Sequence, residues 1–367
     1  MKKIVICLNT SWNIYNFRLN LAKALKNAGY EMVLVAPYDV YSEKLKDEFV
    51  YHDIYMNNKG TNPLEDIKTL LGFYNLFKKI KPDVVLSYTI KPNIYATLAC
   101  SCLKIPIINN VSGLGTLFIK KSFSSIIGKF LYRFAFKRSA WVFFQNKTDK
   151  NLFINSKLVN GQKTSVLPGS GVNLKKFNCV RNSNKGLRFL FAGRLIGDKG
   201  IKEFIKAANL LSKSNPLLEF QIVGKLGYNN RTAISEKELN QWLNNPQIKY
   251  LGKKDNMQEI FKNADIMVLP SYREGLSKSL LEAASMKLPI ITTDVPGCSE
   301  VVDEGKNGFL CKVQDANDLY TKMKKMISIT EQQRLDMGNY SRKKVVKEFN
   351  EQIVIQNYQQ KIKEICG

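Results

Sequence analysis

The chain opens on a short apolar run, Lys3 to Leu8, followed by a polar, irregular stretch, Asn9 to Asn16. A helical period then runs from Phe17 to Ala28 and stops at Gly29, a residue that takes the left-handed C-cap conformation without a Cβ clash. Glu31 to Ala36 predicts a second strand, halted by Pro37. Helical periods at Asp66–Ile80 and Tyr95–Leu103 alternate with strand-like runs at Asp83–Ser87, Ile105–Asn109, Trp141–Gln145 and Lys163–Leu167. Strands alternating with helices imply a parallel sheet covered on both faces.

Pro168 to Lys185 is rich in Gly, Asn and Ser and reads as a linker, after which the pattern restarts. Strands are predicted at Leu187–Ala192, Glu219–Val223, Ile248–Leu251, Ile266–Leu269 and Pro289–Thr292. Helices are predicted at Lys199–Ser212, Ile234–Asn244, Met257–Lys262 and Lys278–Met286. The tail, Thr330–Ile365, reads as helices broken near Glu348–Glu351. The expected fold class is α/β, with two doubly wound Rossmann-like domains, an interdomain cleft, and ligands at the carboxyl ends of the strands. The layout is a first domain over 1–170, a linker over 171–186, a second domain over 187–345 and a C-terminal helix over 346–367.

A length of 367 residues suits two domains, and 44% hydrophobic with 24% charged residues marks a globular chain. Charge changes the picture more. The 56 basic and 31 acidic residues leave a net +25. From Val84 to Gly197 there are 18 basic residues against the single acid Asp149, so that stretch holds +17 of the total. A genome-wide lysine bias is one reading, but bias alone would not strip acids from one third of the chain. The other is an electropositive surface facing anionic phosphates of a lipid, a nucleic acid or a diphosphate substrate. Within it, Leu117–Ser139 places Phe123, Ile126, Ile127, Phe130 and Phe134 at helical spacing. Ser125, Lys129, Arg133 and Lys137 recur on another face. This pattern fits an anionic membrane surface, and equally an ordinary core-packed helix with a solvated face.

One histidine, His52, argues against a His-ligated metal site. Seven cysteines without a CxxC pair point to reduced cytosolic thiols. The apolar run Ile4–Leu8 is too short for a secretion signal. No apolar stretch reaches the roughly 18 residues that a membrane-spanning helix needs.

Three clusters follow predicted strands. In Phe191–Gly200, Gly193-Arg194 ends a strand and Lys199-Gly200 opens a helix. A planar guanidinium fork and a compact ammonium at a helix start make a diphosphate cradle. In Leu269–Ala283, Glu274 and Glu282 stand with seven residues between them, and Ser277 is a plausible N-cap. The amides of Gly275, Leu276 and Ser277 are expected to point at an anion, helped by the helix dipole. The carboxylates can reach sugar and ribose hydroxyls, although a Glu pair is usually a solvated helix face. In Asp294–Leu310, Pro296-Gly297 and Asn307-Gly308 are turn signals closing a loop beside the second cluster.

Together these runs resemble the retaining glycosyltransferases of family 4, which have the GT-B fold. Glu274 and Glu282 match that family's Glu-x7-Glu motif, and Gly193-Arg194 with Lys199-Gly200 match its diphosphate motif. Leu167–Phe177 is similar to its interdomain segment, so the resemblance covers essentially the whole chain. Ile14–Arg18, Ser87–Ala99 and Asn110–Phe118 resemble bacterial capsule, O-antigen and N-glycan assembly transferases, including N-acetylgalactosaminyltransferases that act on undecaprenyl-diphosphate-linked saccharides.

The resemblance implies an acceptor-binding first domain, a nucleotide-sugar-binding second domain and a C-terminal helix crossing back to the first. It implies that Arg194 and Lys199 bind the donor diphosphate beside Gly193, and that Glu274 with the amides of Gly275, Leu276 and Ser277 holds the transferred sugar. Glu282 would hold the ribose; Glu274, Arg194 and Lys199 would carry catalysis. On the acceptor side it points to Asn9, Thr10, Ser11, Asn16, Arg18, Lys91, Asn110 and Ser112. The implied donor is a UDP-sugar, the acceptor an undecaprenyl-diphosphate-linked saccharide, and the place the inner face of the cytoplasmic membrane, with peripheral attachment to anionic lipid. No cofactor, metal or nucleic acid is expected.

Departures exist. Leu276-Ser277 follows the first Glu where the family often has Phe-Pro, Ser299 stands where many relatives carry Arg, and no His lies within Tyr88–Lys91. A front-face mechanism tolerates the last, because the leaving phosphate takes the acceptor proton. Asp53, Asp83, Asp265 and Asp294 are isolated, so Arg194 and Lys199 would replace a metal as the charge acceptors. The residues present oppose three rival readings. A GT-B sugar epimerase needs several His and acidic groups. A basic nucleic-acid-binding protein would show stacking aromatics in a known module. A binding protein without activity is opposed by the intact Glu274, Glu282, Arg194 and Lys199.

Overall fold

Apolar residues that alternate between two cores become the strands. The structure, a computed structural model, describes residues 1–58, 62–114, 123–178, 186–228 and 230–367. In β1 (Lys3–Cys7), Ile4 and Ile6 enter one core while Val5 and Cys7 enter another. A strand buried on both faces must be apolar throughout, hence the unbroken run in the sequence.

The chain divides into two units, Met1–Ser170 with Gln352–Gly367, and Gly171–Glu351. In the first, β1 is followed by α1 (Ser11–Phe17), α2 (Leu19–Asn27), β2 (Glu31–Ala36), α3 (Ser42–Lys46) and β3 (Val50–Asp53). Next come α4 (Pro63–Ile80), β4 (Val84–Tyr88), α5 (Ile90–Leu103), β5 (Ile107–Val111), α6 (Phe123–Phe136), β6 (Trp141–Phe144), α7 (Lys147–Asn155) and β7 (Thr164–Val166). All pairs are parallel, in the order β3-β2-β1-β4-β5-β6-β7. The order reverses between β1 and β4, the kind of switch point beside which α/β sheets bind ligands. Helices α4 to α7 cover one face of the sheet, and α1 to α3 the other.

The second unit runs β8 (Arg188–Ala192), α8 (Ile201–Ser212), β9 (Glu219–Val223), α9 (Glu236–Trp242), β10 (Ile248–Tyr250), α10 (Met257–Lys262) and β11 (Ile266–Leu269). It continues with α11 (Lys278–Ser285), β12 (Ile290–Thr293), β13 (Gly308–Cys311), α12 (Ala316–Ser328) and α13 (Glu331–Glu348). Its parallel sheet has the order β10-β9-β8-β11-β12-β13, reversing between β8 and β11. The last helix, α14 (Glu351–Cys366), buries Val354, Ile355, Tyr358 and Ile362 in the core of the first unit.

Three differences from the sequence reading have local causes. Asn9–Asn16 is not irregular: Thr10 accepts a hydrogen bond from the Asn13 amide and caps α1. The edge strand β3 shows no apolar run because two of its four residues are exposed and two half-buried. The division into units falls after Glu351, not after 345, because Phe349 belongs to the second core and its carbonyl accepts from the Val172 amide at 2.9 Å. For the same reason residues 171–178 of the expected linker belong to the second unit, with Phe177 in its core, and 179–185 lie outside the described residues.

Candidate active site

At the end of β8 the chain turns where two glycines meet. The Gly193 amide donates to Val223 O at 3.0 Å. A Cβ on Gly224 would lie 1.9 Å from the Gly193 carbonyl oxygen. Arg194 follows, exposed and in no ion pair among the described residues, with its charge acting on the Tyr228 hydroxyl. A tight turn over Gly197–Lys199 leads to Gly200, whose φ of +75° opens α8. A Cβ there would fall 2.0 Å from Pro270 O, so only glycine lets this loop lie against the end of β11.

The loop after β11 is tied to the same turn. The Tyr272 amide donates to Asp198 O at 2.9 Å, and Lys199 Nζ donates to Glu274 Oε1 in an ion pair. These side chains are only 14% and 13% exposed, so the pair is held largely out of water. The first and second clusters are thus one site. The third clamps it: the Glu274 amide donates to Pro296 O at 3.1 Å, and a Cβ on Gly297, at φ +82°, would lie 2.4 Å from Glu274 O. One expectation is corrected here. The Ser277 amide donates to Gly297 O at 2.9 Å, so it is not free to meet an anion. Ser277 stands at the N-cap position of α11 but its side chain does not cap, its Oγ lying 3.3 Å from Ser279 Oγ. Gly297 was read from the sequence as a turn closing this loop, whereas Gly224 was missed; a glycine directly after the end of β9 was the available signal.

Glu282, on α11, is buried, with Lys278 Nζ at 3.5 Å. Burial pushes its carboxyl above the ordinary value, outweighing the opposing pull of Lys278 and Lys176. The folded protein therefore binds this proton more tightly than the unfolded chain. The resulting penalty is absent at low pH, sets in as pH rises above the ordinary value of 4.5, and is complete above the folded value. Glu282→Gln is expected to raise Tm at pH 8 and leave it unchanged at pH 4. Equal or lower Tm at pH 8 would contradict the cost of burial.

In the first unit the expected acceptor-side residues divide. Asn9 and Thr10 are half-buried and structure the turn before α1, through Asn13 Nδ2 to Asn9 Oδ1 at 2.7 Å and the Thr10 cap. Asn16 donates to Trp12 O at 2.9 Å, and Lys91 is paired with Asp66 at 2.6 Å. Ser11 is buried, its Oγ 2.6 Å from Ser42 Oγ and 3.1 Å from the Tyr51 hydroxyl. Arg18 is buried with its guanidinium 4.3 Å from the centre of the Tyr88 ring. Asn110 donates to the Tyr358 hydroxyl at 3.1 Å and accepts from the half-buried Ser112 at 3.0 Å. Ser11, Arg18 and Asn110 are thus buried beside the carboxyl edge of the sheet. At that edge Thr89 takes φ +64°, ψ 166°, an uncommon conformation for a side-chain-bearing residue, at the junction where no histidine stands.

Known proteins share this architecture. Residues 3–146 match the family described as glycosyl transferase 4-like, and residues 175–344 the family described as glycosyl transferases group 1. The chain is 30% identical over 366 residues to the N,N'-diacetylbacillosaminyl-diphospho-undecaprenol alpha-1,3-N-acetylgalactosaminyltransferase of Campylobacter jejuni, covering 94% of each protein. It is 29% identical over 308 residues to the UDP-Gal:alpha-D-GlcNAc-diphosphoundecaprenol alpha-1,3-galactosyltransferase of Escherichia coli, covering 78% of this chain and 76% of that one. A glycosyltransferase from Rickettsia africae superposes with a TM-score of 0.82 at 18% identity, over 99% of this chain and 98% of the other. HepE of Anabaena, crystallised with UDP and glucose, superposes with a TM-score of 0.79 at 15% identity, over 99% and 100%. With these matches spanning both units, and the Lys199–Glu274 pair joining its motif loops, the chain belongs to the family 4 glycosyltransferases and has the GT-B fold.

Proposed function

We propose that the protein transfers a sugar, a hexose or N-acetylhexosamine, from a UDP-sugar to a saccharide carried on a lipid diphosphate. The transfer retains the anomeric configuration and serves bacterial surface polysaccharide or glycan assembly. The observation that carries this reading is the Lys199–Glu274 ion pair, which ties the loop after β8, bearing Arg194, to the loop after β11, whose Glu274 is held by its own backbone. The names of the Campylobacter and Escherichia relatives support the lipid-diphosphate acceptor. Arg194 and Lys199 take up the charge that develops on the departing UDP, and the leaving phosphate takes the acceptor proton on the same face. Glu274 orients hydroxyls of the reacting sugar, and Glu282 receives the ribose. Because fixed cations supply the charge, no metal is needed.

The protein would work on the inner face of the cytoplasmic membrane, attached peripherally. None of its described helices is long and apolar enough to cross a membrane. The residues that pack α6 inward are Tyr132, Ala135 and Phe136. Ile126, Ile127, Phe130 and Phe134 face solvent, interleaved with exposed Lys129, Arg133 and Lys137. The apolar stripe is thus not a packing face, and it fits an anionic lipid surface. Residues 117–122 of that segment, and the side chains of Phe123 and Ser125, lie outside the described residues.

The test is turnover of α-linked UDP-sugars with a polyprenyl-diphosphate-linked saccharide, the product read by NMR. An α-linked product formed equally in EDTA is expected. A β-linked product, or activity lost in EDTA and restored by Mg²⁺ or Mn²⁺, would overturn the mechanism.

A further inference from the structure

Exposed apolar ridges occur twice in the first unit, on helices that share one layer. On α4, Leu64, Ile67 and Leu71 are 76%, 52% and 53% exposed. On α6, Ile126 and Phe130 reach 68% and 67%. The buried residues Phe73 and Phe77 of α4, and Tyr132 and Phe136 of α6, enter the same core on the same face of the sheet. Between them lies α5, which packs against both and has eight of its fourteen residues buried, so the two ridges flank a sunken middle helix.

Both flanking helices return from the carboxyl edge of a parallel sheet, so they run in the same direction. Their apolar residues lie toward their N-terminal ends and therefore toward that edge. Basic residues are interleaved with these ridges and continue beyond them toward the other end: Lys68, Lys78 and Lys79 on α4; Lys129, Arg133, Lys137 and Arg138 on α6 or just beyond it, all exposed. The acids of this layer do not offset them. α5 and α6 carry none, and Asp149 on α7 is buried. The two on α4 are half-buried and engaged, Glu65 with Tyr55 and Asn57, Asp66 with Lys91. A shallow groove of about 430 Å³ runs along the α4 ridge, walled by Tyr55, Leu64, Ile67 and Leu71 with Lys68 among its lining.

We propose that α4 is a second membrane-contacting rail: Leu64, Ile67 and Leu71 enter the same anionic bilayer as the α6 stripe. Two contacts on one layer then fix the orientation of the first unit, with the carboxyl edge of its sheet turned toward the lipid. This rests on the membrane reading of α6 and extends it. Charge selects the occupant. Apolar ridges interleaved with and followed by basic residues match a bilayer with anionic headgroups, whereas a second copy of this face would set like charges against each other.

The experiment is flotation of the full chain with vesicles of phosphatidylcholine alone or with 30% phosphatidylglycerol, in low and high salt. Leu64→Ser/Ile67→Ser/Leu71→Ser is compared with Ile126→Ser/Phe130→Ser/Phe134→Ser. Each triple variant is expected to bind anionic vesicles about tenfold less than wild type, and the combined variant not at all. In addition, Ile67→Trp is expected to be quenched by brominated lipid beyond the wild-type level. This readout holds even if the triple variant folds poorly. Normal flotation of the α4 variant with loss in the α6 variant, or no added quenching at position 67, would overturn the proposal and leave the α6 reading standing. Normal flotation of both variants would overturn both readings. An α4 variant that only shifts a dimer to monomer would assign the ridge to a second copy and likewise overturn the proposal.

Discussion

Arg194→Ala and Lys199→Ala are each expected to lower kcat/KM by about 10²-fold or more, the usual cost of removing one donor to a developing charge. The two losses arise differently. Arg194 is exposed and unpaired among the described residues, so its removal would take away the proposed attraction for the diphosphate and leave the fold untouched. Lys199 is engaged by Glu274, 75 residues away in the chain, so its removal also leaves a largely buried carboxylate without its cation. Lys199→Ala is therefore expected to lower Tm, and Arg194→Ala is not. Glu274→Gln added to Lys199→Ala should cost much less activity than Glu274→Gln alone, because the two groups act as a unit. Steady-state kinetics and thermal denaturation of the wild type and the four variants check this. Near-wild-type turnover of both single variants would remove the diphosphate assignment, and fully additive losses would remove the coupling.

Gly297→Ala is the second substitution with a large expected effect, although the residue offers no side chain to chemistry. Its φ is +82°, and its new Cβ would meet Glu274 O at 2.4 Å and Glu274 C at 2.5 Å. Backbone cannot swing aside as a flexible side-chain tip does, so Glu274 must move. Overpacking of this kind costs roughly 1–3 kcal/mol. A misplacement of about 1 Å at a reacting centre can cost on the order of 10²-fold in rate. Gly305→Ala is the matched control. It has φ +76° but nothing within 4 Å of its Cβ, so it carries only the conformational cost. The expected result is a modest fall in Tm for Gly305→Ala and a larger one for Gly297→Ala, with kcat lost in Gly297→Ala alone. Equal kcat in the two variants would show that the Gly297 contact does not position Glu274.

Much of this protein is set by local pattern. The unbroken apolar run of β1 arises because the strand is buried on both faces, and that property is written in consecutive residues. The motif residues Arg194, Lys199 and Glu274 stand at strand-to-helix junctions, and Glu282 on the helix that follows, all of which periodicity alone places. Contacts between distant segments were decided elsewhere. That the Ser277 amide serves Gly297, and that Gly224 must be a glycine, depends on which loops approach one another. The α6 segment shows the limit most plainly. Its residues Phe123–Phe136 are apolar around most of the helix, so spacing defines no unique inward face. Packing against α5 chose Tyr132, Ala135 and Phe136 for the core and turned Ile126, Phe130 and Phe134 outward. A helical period records which residues share a face, but the neighbouring element determines which face is buried.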